Sequence, residues 1–174
     1  MERIFVPAVV SDAVRADEKG KPQIWGLPMT LDTMVLFYNQ DLLDQAGVPQ
    51  APASWAELQE AVVASTRYDS AGNIVQAGGA FGAGKNVDRA ADIITALILQ
   101  NGATMADGRG RAIFNLVAEG QTAEESPAIQ ALRFYTDFGN PTKQVYTWNG
   151  EMEPSLDAFA RGKATFFFGY SYHI

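Results

Sequence analysis

The run ATFFFGY, residues 164–170, constrains the fold more than any other stretch of this chain. It is apolar without alternation, so a strand made from it has no face to offer water. It needs cover on both sides and neighbours along its edges. Thr33 to Tyr38 is a second β-prone run, and a third strand is expected from Ile74 to Gly79. Helical patterns lie between them. Ser54 and Glu57 form a capping box for a helix whose inner face is Trp55, Leu58, Ala61, Val62 and Ser65. Asn86 or Asp88 is placed to cap a helix with Ile93, Ile94, Leu97 and Ile98 on one side, ended at Gly102. Ser126-Pro127 opens another, expected to turn Ile129, Leu132, Tyr135 and Phe138 inward. Strands alternating with helices predict an α/β domain with a mixed or parallel sheet. Nothing follows ATFFFGY to cover it, so the sequence reads as a fragment.

The chain has 174 residues, enough for one core of ordinary size or part of a two-lobed protein. Hydrophobic residues at 47% against 19% charged give a globular composition. A net charge of -7 argues against nucleic acid or an anionic membrane surface as partner, because both select basic patches. With no cysteine, disulfides, thiol nucleophiles and thiolate metal sites are excluded. His173 is the sole histidine, so a multi-histidine metal site is impossible and any Ser-His-Asp triad would have to use it. MERIFVPAVV has too short an apolar run for a signal peptide and lacks a small-residue cleavage pattern. No stretch reaches the roughly twenty apolar residues that span a bilayer.

One carboxylate stands out. Asp32 sits between Leu31 and Thr33 in IWGLPMTLDTMVLFYN, residues 24–39, where a buried charge would need a partner or a ligand. Leu27-Pro28 is expected to put an extended break upstream of it. The cluster GGAFGAGKN, residues 78–86, resembles a phosphate loop only loosely, since Lys85 is followed by Asn86 and the GxxxxGK[ST] spacing is missing. A flexible loop shaped for close approach to a ligand or to another lobe is the expectation there.

The order GLPMTLDT, an apolar strand ending in Tyr38-Asn39, DLLDQAGV, PASWAEL and finally SLDAFARGKATFFFGYSY resembles the extracellular solute-binding proteins of ABC importers. The similarity is to their sugar-binding, maltose-binding-protein-like group and runs over nearly the whole chain. It implies a type II periplasmic-binding-protein-like fold, present in part. Residues 1–30 would be the end of the first lobe with the hinge strand, and 31–174 a second α/β lobe that is incomplete at its C-terminal end. It implies a carbohydrate held between lobes, an importer permease as partner, no cofactor and no catalysis. The location implied is extracytoplasmic, with membrane attachment only through an N-terminal anchor absent from this sequence.

Sugar recognition needs groups that accept hydroxyl hydrogen bonds and aromatic faces that pack on C–H surfaces. The resemblance puts Asp32, with Thr33 beside it, where the family's hinge strand carries a ligand-contacting acid. It puts Tyr170 and Tyr172 on the aromatic platform, and period two would turn both to one side of a strand. Trp148 and Asn149 in the loop YTWNG offer a face and an amide, and Asn86 offers a further amide. Trp55 reads as a helix staple and Trp25 as packing. A non-sugar solute such as glycerol phosphate or a polyamine is the alternative. A carbohydrate-acting enzyme would pair Asp32 with Glu151, Glu153 or Asp157, but no spacing fixes such a pair.

Overall fold

The computed structural model describes residues 5–117 and 119–173; the first four residues of MERIFVPAVV lie outside them. The elements are α1 (Pro7–Ala13), β1 (Val14–Ala16), β2 (Pro22–Ile24), β3 (Met34–Tyr38), α2 (Gln40–Gln45), α3 (Trp55–Ser65), β4 (Arg67–Tyr68), β5 (Ile74–Gly79), α4 (Ala90–Gln100), α5 (Pro127–Asp137), α6 (Ser155–Ala160) and β6 (Ala164–Tyr170). The chain divides into two compact units, one of residues 1–34 with 170–174 and the other of 35–169.

In the larger unit a sheet runs in the order β3-β6-β5-β4, with β5 parallel to β6 and antiparallel to β4. The most apolar strand is therefore interior, flanked by β3 and β5, and its edge requirement is met within the chain. Both faces are covered, as the unalternated run demanded. Phe167 meets Phe37 and Phe159 on one side, while Phe168 meets Trp55 and Phe81 on the other. Phe166 and Phe167 are essentially inaccessible to solvent. β3 is less enclosed than its sequence suggested: Met34 to Phe37 are half-buried and Tyr38 is exposed.

The helices form for the reasons their sequences display. Asn39 caps α2 by accepting the Leu42 N–H at 3.1 Å. Ser54 caps α3 by accepting from Glu57 N–H, and Glu57 reaches back one residue further than a standard box, to the Ala53 N–H at 2.7 Å. Leu58, Ala61, Val62 and Ser65 are buried along α3 as expected. In α5 the inward stripe is rotated from the predicted one. Ala128, Ala131, Tyr135 and Phe138 face inward, while Ile129 and Leu132 are exposed. The small alanines let α5 lie close, and α4 is its main packing partner. Asp88 caps no part of α4; its carboxylate instead accepts from Ser155 Oγ–H and Leu156 N–H, at the start of α6.

A five-residue turn recurs three times: Asp17–Lys21, Asp69–Asn73 and Asp107–Arg111, all of pattern D-x-x-G-x. In each, Asp Oδ1 accepts the N–H groups two and four residues on, at 2.8–2.9 Å. The glycines take φ of +76°, +84° and +76°, a left-handed conformation that favours glycine. Each turn joins an antiparallel pair: Ala16 with Pro22, Tyr68 with Ile74, and Ala106 with Ala112.

Candidate functional site

The residues singled out in the sequence fall into two groups, one in each unit. In the larger unit Asn86, Trp148 and Asn149 do meet, but as an internal clamp. The Trp148 ring is fully buried, and its indole N–H donates to Asn86 Oδ1 at 3.1 Å. The Asn86 amide donates in turn to the carbonyls of Asn149 (2.9 Å) and Met152 (2.8 Å). Asn149 donates to the Tyr146 hydroxyl and accepts the Glu151 N–H. Trp148 therefore has no exposed face on which a ring could stack, contrary to the expectation for a residue in a polar loop. The loop folds inward because Thr147, also fully buried, accepts the Gly78 and Gly79 N–H groups at 2.7 and 3.1 Å. Thr66 Oγ1 shares the Gly78 N–H at 3.1 Å, so the two buried threonines together satisfy the donors at the end of β5.

The glycine-rich loop departs from its expectation for a related reason. Its glycines admit close approach, but to the protein's own backbone. A Cβ on Gly78 would collide with the Val62 carbonyl, and one on Gly82 (φ +103°) would stand 2.6 Å from the Gly139 N. Tyr135 fixes the same loop, donating to the Ala83 carbonyl at 2.7 Å. Burial pushes its phenol up to about 12.

In the smaller unit the second group stays open. Asp32 is exposed, because the strand begins only at Met34 and residues 25–33 carry no regular structure. The apolar neighbours that seemed to bury it, Leu27, Met29 and Leu31, are themselves 74%, 90% and 68% exposed. The cost of burying a charge therefore does not arise. Asp32 Oδ1 accepts from Ser171 Oγ–H at 2.6 Å, Ser171 N–H at 3.0 Å and Thr33 N–H at 2.8 Å. Among the described residues nothing donates to Oδ2. The Ser171 hydroxyl above all, then the backbone N–H groups of Thr33 and Ser171, hold the carboxyl below its ordinary value against the opposing effect of desolvation. Thr33 contributes its backbone N–H, and its side chain is exposed.

Tyr170 and Tyr172 flank Ser171, and their rings stack at 5.7 Å with 13° between planes. They come together by a route that period two did not foresee. β6 stops at Tyr170, and Ser171–His173 forms a 3-10 turn. The Tyr170 N–H donates to His173 Nδ1 at 2.9 Å, closing that turn. Tyr172 keeps 59% of its surface exposed. Ser171 was missed in the sequence; its place between two tyrosines was the only signal available. This unit thus presents an ionised carboxylate with one oxygen open, held by a serine that two stacked rings flank.

The mixed α/β architecture, together with the likeness to the solved structures below, is a type II periplasmic-binding-protein fold, present in part. Residues 3–174 match the bacterial extracellular solute-binding protein family, and the chain belongs to it. The members of that family are substrate-binding proteins and not enzymes. Comparison with curated proteins gave no match. Among solved structures, CpMnBP1 with mannotriose bound is 22% identical with a TM-score of 0.66, over 99% of this chain and 42% of that one. Maltose-bound MalE3 of T. maritima is 22% identical at 0.60, over 97% and 39%. UgpB from Mycobacterium tuberculosis in complex with glycerophosphocholine is 17% identical at 0.63, over 95% and 36%. At these identities the likeness is one of fold. The chain spans between 34% and 42% of the length of the solved chains it matches.

Proposed function

We propose that this chain is part of the extracytoplasmic substrate-binding component of an ABC importer, and that its ligand is a carbohydrate. The observation that carries the reading is the Asp32 carboxylate, held ionised with Oδ2 open, together with the stacked pair of half-buried Tyr170 and exposed Tyr172. A carboxylate oxygen accepts sugar hydroxyls through charge-assisted hydrogen bonds, and tyrosine faces pack on pyranose C–H groups. The sugars bound by two of the similar solved proteins support the same class. In the complete protein, ligand contacts made only in the closed state would drive closure, and the closed form would be read by a membrane permease. Trp148, Asn149 and Asn86 support the larger unit and are assigned no direct contact with the sugar.

A cationic solute is a second reading favoured by the same geometry, since a carboxylate beside aromatic faces also suits an ammonium group such as that of choline or a polyamine. Calorimetry on the complete protein carrying this chain separates the two. A panel of mono- and oligosaccharides should bind, with Asp32→Ala weakening the interaction at least tenfold. Binding of choline esters or polyamines with no saccharide bound would replace the sugar reading by the cationic one.

A further inference from the structure

In the larger unit, remote in sequence from Asp32 and the Tyr170–Tyr172 pair, a surface cavity of about 280 Å³ opens where α3, α4 and α5 converge. Its walls are aromatic. The Trp55 indole and the Phe134 ring meet edge to face at 5.5 Å, making a corner, and Leu97 lies at its floor. Three amides stand at the rim: Gln100, Asn101 and Gln130, all exposed. Trp55 was expected to be a mere staple, yet its indole N–H donates to Gln100 Oε1 at 2.8 Å and holds that amide beside the cavity. Asn101 Nδ2 donates to the Pro127 carbonyl at 2.8 Å, bridging α4 to the start of α5. These anchors leave Gln100 Nε2 as a donor and Asn101 Oδ1 as an acceptor without partners among the described residues. The cavity has no ionisable side chain in its lining.

We infer that this cavity is a second ligand site, which takes one neutral pyranose ring. Two rings set at a corner supply the flat apolar surface against which a sugar's C–H face packs. Neutral amides with a free donor and a free acceptor suit hydroxyls, which need both, and the absence of charge disfavours acids, amines and phosphates. The volume lies just below the roughly 300–1,000 Å³ typical of small-molecule clefts, room for one ring and not for a chain of them. The inference is independent of the function proposed for the Asp32 group.

The test follows the side-chain amide signals of Gln100, Asn101 and Gln130 and the Trp55 indole N–H by two-dimensional NMR, during titration of the 174-residue chain with glucose, mannose, galactose and their methyl pyranosides. Saturable shifts at these groups are expected with at least one sugar, weakened at least fivefold by Gln100→Ala. They should persist in the Asp32→Ala variant, which separates this site from the other. Trp55→Ala would also remove ring packing against Phe134 and Phe168, so Asn101→Ala on the exposed rim is the companion variant, and it too should weaken the response. Absence of saturable shifts with every sugar would overturn the inference. So would a response unchanged by both rim variants, or one given by indole and benzene but by no sugar.

Discussion

Asn86, Trp148 and Asn149 in the larger unit and Asp32, Tyr170 and Tyr172 in the smaller one are made of similar chemistry: an oxygen acceptor, an amide or hydroxyl, and aromatic rings. They differ in what remains unspent. In the first group the indole is sealed from solvent and the half-buried Asn86 amide is spent on three partners within the protein. In the second the carboxylate keeps an open oxygen, and Tyr172, though packed against Tyr170 and His173, keeps 59% of its surface in solvent. Residue type marks a candidate for binding; exposure and unused hydrogen-bonding capacity decide between scaffold and site.

The largest expected effect probes that difference directly. Trp148→Ala should cost about 3–5 kcal/mol in urea unfolding, the usual loss for a buried aromatic replaced by alanine. Tyr172→Ala should change stability by no more than about 0.5 kcal/mol, as for ordinary surface substitutions, while weakening ligand binding. Equal destabilisation by both variants would break the comparison.

The next effect comes from pH. Tyr135 holds the glycine-rich loop through Ala83, and its phenol is raised from 10.0 to about 12 by burial. A folded value above the unfolded one means full stability below about pH 10 and loss as pH rises towards 12. The two-unit shift corresponds to about 2–3 kcal/mol. Tyr135→Phe should flatten that alkaline loss, and an unchanged alkaline limb would show that the phenol is not the group responsible.

The smallest effect lies on the acid side, in the three D-x-x-G-x turns. Asp17, Asp69 and Asp107 are each held below 3.8, chiefly by the Lys21 N–H, the Asn73 side chain and the Arg111 N–H respectively. Depressed folded values give stability that is present above the ordinary value and lost as pH falls below it. Asp69→Ala should reduce the slope of acid unfolding slightly, as read by circular dichroism from pH 5 downward. A slope identical to that of the parent chain would remove the turn from the acid response.

Much of the fold was legible because it depends on local pattern. The Ser54 cap, the run of α3 and the doubly covered β6 all follow from residues adjacent in sequence. The recurring turn was equally local: aspartate at the first position, glycine at the fourth, and main-chain donors between them. Its threefold use was present in the sequence but not read there. The site was less legible. Asp32 was singled out as a charge in an apolar run and the tyrosines by resemblance, yet the bond that defines Asp32 comes from Ser171, 139 residues further along the chain.

What the sequence alone determined is where backbone and periodicity leave one solution, as in a strand with no polar face or a helix with a matched cap. The tertiary structure decided which polar groups were already satisfied. Trp148 and Tyr172 cannot be told apart by identity or by the polarity of their neighbours. Thr147 drew one inward by meeting the donors at the end of β5, and a 3-10 turn after β6 left the other in solvent. Such outcomes depend on partners distant in sequence, and local pattern contains no term for them.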